Sequence, residues 1–190
     1  GQSRQQRVYG PDLMLVWCDR AASLDLPIYL YGSTDSILER LQVKLKQQFP
    51  QLAIAGSYAP PYIDPDTLEP ESEDLPAWLA SDIDRIHASG ARVVFVGLGC
   101  PKQEYWMAKA QSKLDCVTIG VGAAFDFHSG QVSQAPRWMM KIGLEWLYRF
   151  SQEPVRLWQR YLINNPAFVI LFLWQLLQNL WHRNNPLDHP

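Results

Sequence analysis

The sequence has few cysteines and no excess of charge, and both shortages exclude classes of protein. Its three cysteines, Cys18, Cys100 and Cys116, are odd in number and lack the spacing of metal ligands. Such sparse thiols are typical of a reducing compartment. The formal net charge is −2, so the chain as a whole offers no general electrostatic case for binding nucleic acid.

An apolar run long enough to cross a membrane is also missing. The most apolar stretch, Pro166–Leu177, is interrupted only by Gln175 and is much shorter than the roughly 20 residues that a spanning helix needs. Trp158, Trp174 and Trp181 lie in or near it and suit the headgroup boundary of a bilayer. A helix in the membrane interface is one interpretation, and a helix buried in an oligomer or against the core is the other.

The chain begins with Gly1 and a polar segment, Gln2–Gln6, which does not match a secretory signal peptide. The missing initiator methionine suggests a trimmed or partial sequence. The first strand signal comes only near Ile28. We therefore expect that upstream elements are absent.

What the sequence does contain is a regular alternation of strand and helix signals. Apolar strand segments occur at Pro27–Tyr31, Leu52–Ala55, Arg92–Val96 and Val117–Val121, with helical apolar spacing between them. This favours an α/β fold, a Rossmann-like parallel sheet with flanking helices. The acidic, proline-rich segment 63–75 is predicted to be a solvated surface loop rather than a metal site.

Turns rich in glycine and small polar residues follow the predicted strands. In a parallel sheet these turns meet at the carboxyl edge, where such folds bind ligands. Gly32–Asp35 precedes a helix, so its backbone N–H groups suit a phosphate, although any strand-to-helix loop can look like this. Gly56–Tyr62, which contains Tyr58, is predicted to be the exit loop of the second strand.

The turn Gly97–Pro101 follows the third predicted strand. Its glycines, Gly97 and Gly99, let the backbone approach a ligand, and Lys102 either neutralises a phosphate or is solvated. Gln103 offers an amide that both donates and accepts, which suits sugar hydroxyls or a carbonyl. Glu104 is favourable in a first helical turn on dipole grounds alone.

The turn after the fourth strand, Gly122–Gly130, contains a carboxylate between two phenylalanines. Asp126 could accept from a ribose hydroxyl or a base N–H, or act as a general base if burial raised its pKa. The structural alternative is an Asx-turn toward Gly130. His128 is interpreted as a partly exposed loop residue, since no second metal ligand stands at a recognisable spacing.

Several blocks together resemble the WecG/TagA/CpsF glycosyltransferase family over roughly residues 7–166. The blocks are GLGCPKQE at Gly97–Glu104, GVGAAFDF at Gly120–Phe127 with Gly130, APRW at Ala135–Trp138, GLEWLYR at Gly143–Arg149 with Glu153-Pro154, and RVYGPDL at Arg7–Leu13. The resemblance implies transfer of a sugar, of N-acetylmannosamine type or a related hexose or uronic acid, from a UDP-sugar to an undecaprenyl-diphosphate-linked sugar. It further implies an inverting, metal-independent enzyme at the cytoplasmic face of the bacterial plasma membrane, in cell-surface polysaccharide synthesis. A homo-oligomer is possible.

The same resemblance assigns roles to residues. It implies that Gln103 and Arg7 lie in the active pocket as catalytic residues. It implies nucleotide binding by residues of the sheet-edge turns, which are Gly32, Ser33, Tyr58, Gly97, Gly99, Lys102 and Asp126.

Relatives in this family carry further Thr-Pro-Asn-like and Asp-Gly segments before the Arg-Val-x-Gly block, and the Asp is their proposed catalytic base. This sequence contains neither segment upstream of Arg7. We therefore assign no base, and Asp126 is not given that role. The alternative function is a nucleotide-sugar-binding or membrane-surface module without turnover.

Residues 1–140 are predicted to form the α/β domain, 141–183 a helical membrane-associating appendage and 184–190 a disordered tail. Arg149, Arg156 and Arg160 stand seven and four residues apart, which would place them broadly on one face of a continuous helix. Converging arginines bind diphosphate well. The other interpretation is a solvated basic face paired with Glu145 and Glu153, and the resemblance favours the diphosphate or the acceptor.

Overall fold

The computed structural model describes residues 8–61, 77–152, 154–159, 163 and 165–184. Contacts divide the chain into two compact units, Gly1–Ser133 and Gln134–Pro190. Arg7, Arg160, the predicted acidic loop at 63–75 and the tail after Asn184 lie outside the described residues. Their predicted roles and structures therefore remain predictions.

The first unit is an α/β sheet domain, as predicted. Its strands are β1 (Ile28–Gly32), β2 (Ile54–Tyr58), β3 (Val93–Gly97) and β4 (Val117–Gly120). Its helices are α1 (Gly10–Ser23), α2 (Asp35–Gln48), α3 (Ala77–Ser89), α4 (Lys102–Ala110) and α5 (Ala124–Ser129). All described strand pairs are parallel, in the order β2-β1-β3-β4, which confirms the Rossmann-like arrangement.

Alternation along the strands builds one core on each face of the sheet. Ile28 and Leu30 of β1 pack with buried residues of α1, α2 and α5 on one face. Tyr29 and Tyr31 point to the other face, where α3 and α4 bury apolar side chains that include Trp106. Helices thus cover both faces of the sheet, as is usual for parallel sheets.

Two predicted boundaries were wrong. β2 runs from Ile54 to Tyr58 rather than Leu52–Ala55, because Gly56 lets the chain pass against the Tyr29 ring, where a Cβ would lie only 2.7 Å away. Leu52 is buried in the preceding loop instead. Part of the predicted turn Gly122–Gly130 is the helix α5, which buries Phe125 and ends at Gly130 with a left-handed φ of 76°.

The second unit is helical. Its elements are α6 (Arg137–Lys141), α7 (Glu145–Gln152), α8 (Pro154–Gln159) and α9 (Asn165–Asn184). α7 ends at Gln152, and α8 begins at Pro154. A break here is expected because proline disrupts the interior of a helix but is tolerated in its first turn. Asn184, predicted to begin a disordered tail, is the last residue of α9.

Candidate functional site

In an open parallel sheet, the expected ligand crevice is the point where neighbouring strands lead off in opposite directions, and here that point lies at the carboxyl edge between β1 and β3. β1 leads through α2 to β2 on one side, whereas β3 leads through α4 to β4 on the other. The last residues of these two strands, Gly32 and Gly97, are register partners. Ligands of open α/β sheets bind where the connections diverge in this way. The turns after β1 and β3 therefore form the candidate site.

Two main chains lie directly against each other at this crevice. A Cβ at Gly32 would be 2.7 Å from the carbonyl carbon and oxygen of Gly97. A Cβ at Gly97 would be 2.7 Å from the ring of Phe125 on α5. Both glycines are therefore needed for packing, whatever ligand the crevice accepts.

The turn after β1 has an unusual backbone. Ser33 adopts φ 63°, a left-handed conformation that non-glycine residues seldom adopt. Thr34, at the N-cap of α2, makes no side-chain capping bond, and its hydroxyl lies 3.3 Å from that of Ser36. Asp35 already supplies a negative charge in the first turn of α2. That charge weighs against a phosphate here and favours an uncharged group such as a sugar hydroxyl.

The turn after β3 leads directly into α4. Gly99 has φ 78°, and a Cβ at this residue would meet no atom within 4 Å, so its backbone conformation rather than crowding requires glycine. The Cys100-Pro101 peptide bond is cis. The N–H of Gln103 donates to the carbonyl of Gly99 at 2.9 Å. Lys102 is half-buried at the start of α4.

Gln103 is buried and joins the turns after β3 and β4. Its Oε1 accepts from the N–H of Gly122 at 3.0 Å, and its Nε2 donates to Oε1 of Glu104 at 2.8 Å. A backbone N–H can only donate and a carboxylate can only accept, so the amide has one orientation that satisfies both. A Cβ at Gly120 would lie 3.1 Å from Nε2, so this glycine makes room for the amide.

Asp126 lies on α5, half-buried, one residue after the phenylalanine that packs on Gly97. Its main-chain carbonyl accepts from the N–H groups of Gln131 and Val132 at 3.0 and 3.1 Å. The loop after α5 is thus closed by this carbonyl. The segment is a helix that buries Ala124 and Phe125.

His128 ties α5 to the start of α1. Its Nε2 lies 2.9 Å from the carbonyl oxygen of Pro11. Burial lowers the pKa of His128, while the Pro11 carbonyl and the charge of Asp12 oppose that shift. The residue predicted to be a partly exposed loop histidine is therefore a half-buried contact between two helices. Asp12 lies in the first turn of α1, after Pro11.

Sequence reasoning missed a buried polar cluster beside the turn after β1. The hydroxyl of Tyr31 donates to Oδ2 of Asp82 on α3 at 2.5 Å. Tyr58 ends β2, with its ring centroid 6.2 Å from that of Tyr31 and 4.1 Å from the guanidinium carbon of Arg85. The available signal was Asp82 itself, a carboxylate three residues after Leu79 on the apolar face of α3.

The second unit carries the other predicted arginines. Arg149 lies on α7 and Arg156 on α8, so the two do not share one continuous helix. The side chain of Arg156 lies outside the described structure. All described side chains of α9, from Asn165 to Gln178, are exposed, including those of Phe168, Leu171 and Trp174.

Within the described residues, no group of three or more His, Cys, Asp or Glu side chains could hold a metal ion. Nor is any described helix long and apolar enough to cross a membrane. A family model, described as the glycosyl transferase WecG/TagA/CpsF family, matches residues 1–182. The chain belongs to this family. That match extends over both units of the glycosyltransferase.

Membership of the WecG/TagA/CpsF family fixes the general activity. The chain has a glycosyltransferase role in polysaccharide synthesis. The family implies a nucleotide-sugar donor and a lipid-linked acceptor in general terms. The crevice between β1 and β3 is where a parallel sheet would receive such a nucleotide.

Proposed function

We propose that this chain is an inverting, metal-independent hexosyltransferase that uses a UDP-sugar. Its acceptor is a sugar carried on undecaprenyl diphosphate at the inner face of the bacterial plasma membrane. The observation that carries the proposal is the coincidence of family membership with glycine turns at the divergence of β1 and β3. The donor sugar is of N-acetylmannosamine type or a related hexose or uronic acid.

The donor's nucleoside is assigned to the turns of the first unit. Gly32 and Ser33 offer close backbone approach beside Asp35, whose charge suits hydroxyls better than phosphates. Asp126 accepts from a ribose hydroxyl or a base N–H. Tyr58 adds an aromatic ring at the end of β2, where it lies beside Arg85 and Tyr31.

The diphosphate needs positive charge, because a leaving UDP develops negative charge in the transition state. Lys102 at the start of α4 is the candidate in the first unit, beside Gly97 and Gly99. Arg149, Arg156 and Arg160 are proposed for the diphosphate of donor or acceptor on chemistry alone, since guanidinium groups bind phosphate oxygens in pairs. Arg7 is proposed for the same pocket.

The chemical step requires a base that takes the proton from the acceptor hydroxyl as that oxygen attacks the anomeric carbon. We assign none among the described residues. Gln103 orders the two turns around the donor through its bonds to Glu104 and Gly122. Rate enhancement then rests on positioning and charge stabilisation.

α9 is proposed to lie in the membrane interface. Its exposed apolar side chains, among them Ile170, Phe172 and Leu173, would enter the acyl boundary, and Trp174 suits the headgroups. This brings the glycosyltransferase to its lipid-linked acceptor.

The second candidate function is binding of a nucleotide-sugar without turnover. It is favoured by the Gln103 amide, whose oxygen and nitrogen both hydrogen-bond within the chain. A transfer assay separates the two functions. Purified protein is mixed with radiolabelled UDP-sugars and liposomes that carry an undecaprenyl-diphosphate-linked sugar, with and without EDTA.

The proposal predicts label in the lipid fraction at a rate that EDTA does not change. UDP binding without any transfer would instead establish the binding module. Absence of UDP binding would overturn the assigned donor.

A further inference from the structure

Tyr31 and Asp82 form a buried hydrogen bond next to the crevice. Tyr31 is 0% exposed and Asp82 is 4% exposed, and the hydroxyl donates to Oδ2 at 2.5 Å. Burial raises the pKa of Asp82, and the bond from Tyr31 opposes that rise. A carboxylate is seldom buried without a partner, and the Tyr31 hydroxyl is the partner of Asp82 here.

The Tyr31 ring is fixed from more than one side. It stacks on the ring of Trp106 in α4, with centroids 4.4 Å apart and an interplanar angle of 28°. Its hydroxyl is held by α3, and Tyr58 of β2 lies beside it. Three elements of the fold therefore determine where this side chain lies.

The next two residues form the turn with the unusual backbone. Gly32 has φ 119° and Ser33 has φ 63°. A left-handed non-glycine residue is unfavourable and persists only when its surroundings hold it. Gly97 confines the turn from one side, and Tyr31 anchors the chain where the turn begins.

We propose that the hydrogen bond between Tyr31 and Asp82 positions the Gly32–Ser33 turn for the donor nucleotide. Both side chains are positioning residues, because they act through the backbone of the turn and are themselves buried. The inference rests on the proposed function for the identity of the ligand. The conformation of the turn can be measured without any ligand.

Tyr31→Phe removes only the hydroxyl, and Tyr29→Phe is its matched control. Tyr29 lies on the same strand and the same face, is 2% exposed, and is two residues further from the turn. Hydrogen exchange of the amides from Ser33 to Ile37 is measured for both variants, together with UDP affinity by calorimetry. We expect exchange in Tyr31→Phe to rise at least fivefold at this turn and UDP affinity to fall about five- to tenfold, with neither change in Tyr29→Phe.

Substitution of Asp82 supplies an independent readout if Tyr31→Phe does not fold. Asp82→Asn keeps an oxygen that can accept from Tyr31, so its exchange and affinity should stay within twofold of those of the unmodified protein. Asp82→Leu should behave like Tyr31→Phe. If the pair only stabilises the core, its loss will lower the melting temperature but leave amide exchange at the turn and UDP affinity equal to those of Tyr29→Phe. This result would overturn the inference.

Failure of the proposed function would look different. If the unmodified protein does not bind UDP, the assigned donor is wrong, and the positioning role is decided by amide exchange at the turn alone.

Discussion

Gln103 shows how much one buried amide can determine at the residue scale. Its side chain connects the first turn of α4 with Gly122 after β4, in the one orientation that its two partners allow. Removing it would leave the Gly122 N–H without this acceptor and would free the two turns from each other. An unsatisfied buried donor costs about 1–3 kcal/mol.

Gln103→Ala should therefore reduce sugar transfer at least tenfold while the protein remains folded. The transfer rate with labelled UDP-sugar and circular dichroism measure the two effects. Gln111→Ala is the matched control, since Gln111 is exposed at the other end of α4. Equal transfer by Gln103→Ala and Gln111→Ala would remove Gln103 from the site.

His128 predicts a dependence of stability on pH. Burial lowers its pKa below the ordinary value of 6.5, so the unfolded chain binds a proton more readily than the folded one. The contribution of His128 is therefore fully present above pH 6.5 and is lost as the pH falls below that value toward the pKa of the folded state. Urea unfolding between pH 7.5 and 5 should show this loss.

The control for this prediction is His128→Gln, which keeps a side chain able to hydrogen-bond but does not titrate. Its free energy of unfolding should change less over the same pH interval. An identical pH dependence in both proteins would show that His128 does not titrate differently on folding. His87, on the exposed face of α3, provides a second control as His87→Gln.

At the scale of elements, the sequence was sufficient to predict the alternation of strands and helices. Strands of a parallel sheet read as short, mainly apolar runs, so β1, β3 and β4 stand out. β2 was misplaced because Gly56 and Ser57 resemble a loop, and only the Tyr29 ring across the sheet explains the glycine. α5 was missed because six residues are too few for a helical pattern to be visible.

The candidate site could be predicted only in part from local sequence patterns. Glycines at strand ends are visible in sequence, so the positions of Gly32, Gly97 and Gly99 at or after the strand ends were predicted correctly, and their role in binding stays a prediction. The Tyr31–Asp82 bond joins residues 51 positions apart, and no local pattern encodes such a pairing. The orientation of Gln103 likewise depends on Gly122, which is 19 residues away.

α9 supports a prediction about membranes. Its apolar side chains are exposed around the helix, and a charge placed among them should weaken insertion into a bilayer interface. We expect Leu171→Glu to lower co-sedimentation with anionic liposomes several-fold, and deletion of residues 164–190 to abolish it.

Gln175→Glu is the control, because it adds the same charge to the same helix at a polar position. If Leu171→Glu, Gln175→Glu and the deletion all sediment with liposomes as well as the unmodified chain, α9 is not the membrane contact. We expect Gln175→Glu to sediment like the unmodified chain, and the other two variants to sediment less.

At the scale of the whole molecule, the two units have different compositions and, in the proposed function, different tasks. The unit Gly1–Ser133 supplies the sheet edge and its glycine turns, whereas Gln134–Pro190 supplies short helices and the exposed apolar α9. The proposed activity needs both, since the donor is a soluble nucleotide and the acceptor is anchored in lipid. The family match accordingly spans residues 1–182.

The most direct test of the account is a titration of the isotope-labelled protein with UDP, followed by amide chemical shifts. The account predicts saturable changes concentrated at three turns, Gly32–Asp35, Gly97–Gln103 and Gly122–Asp126. No saturable change, or changes concentrated away from the carboxyl edge of the sheet, would contradict it.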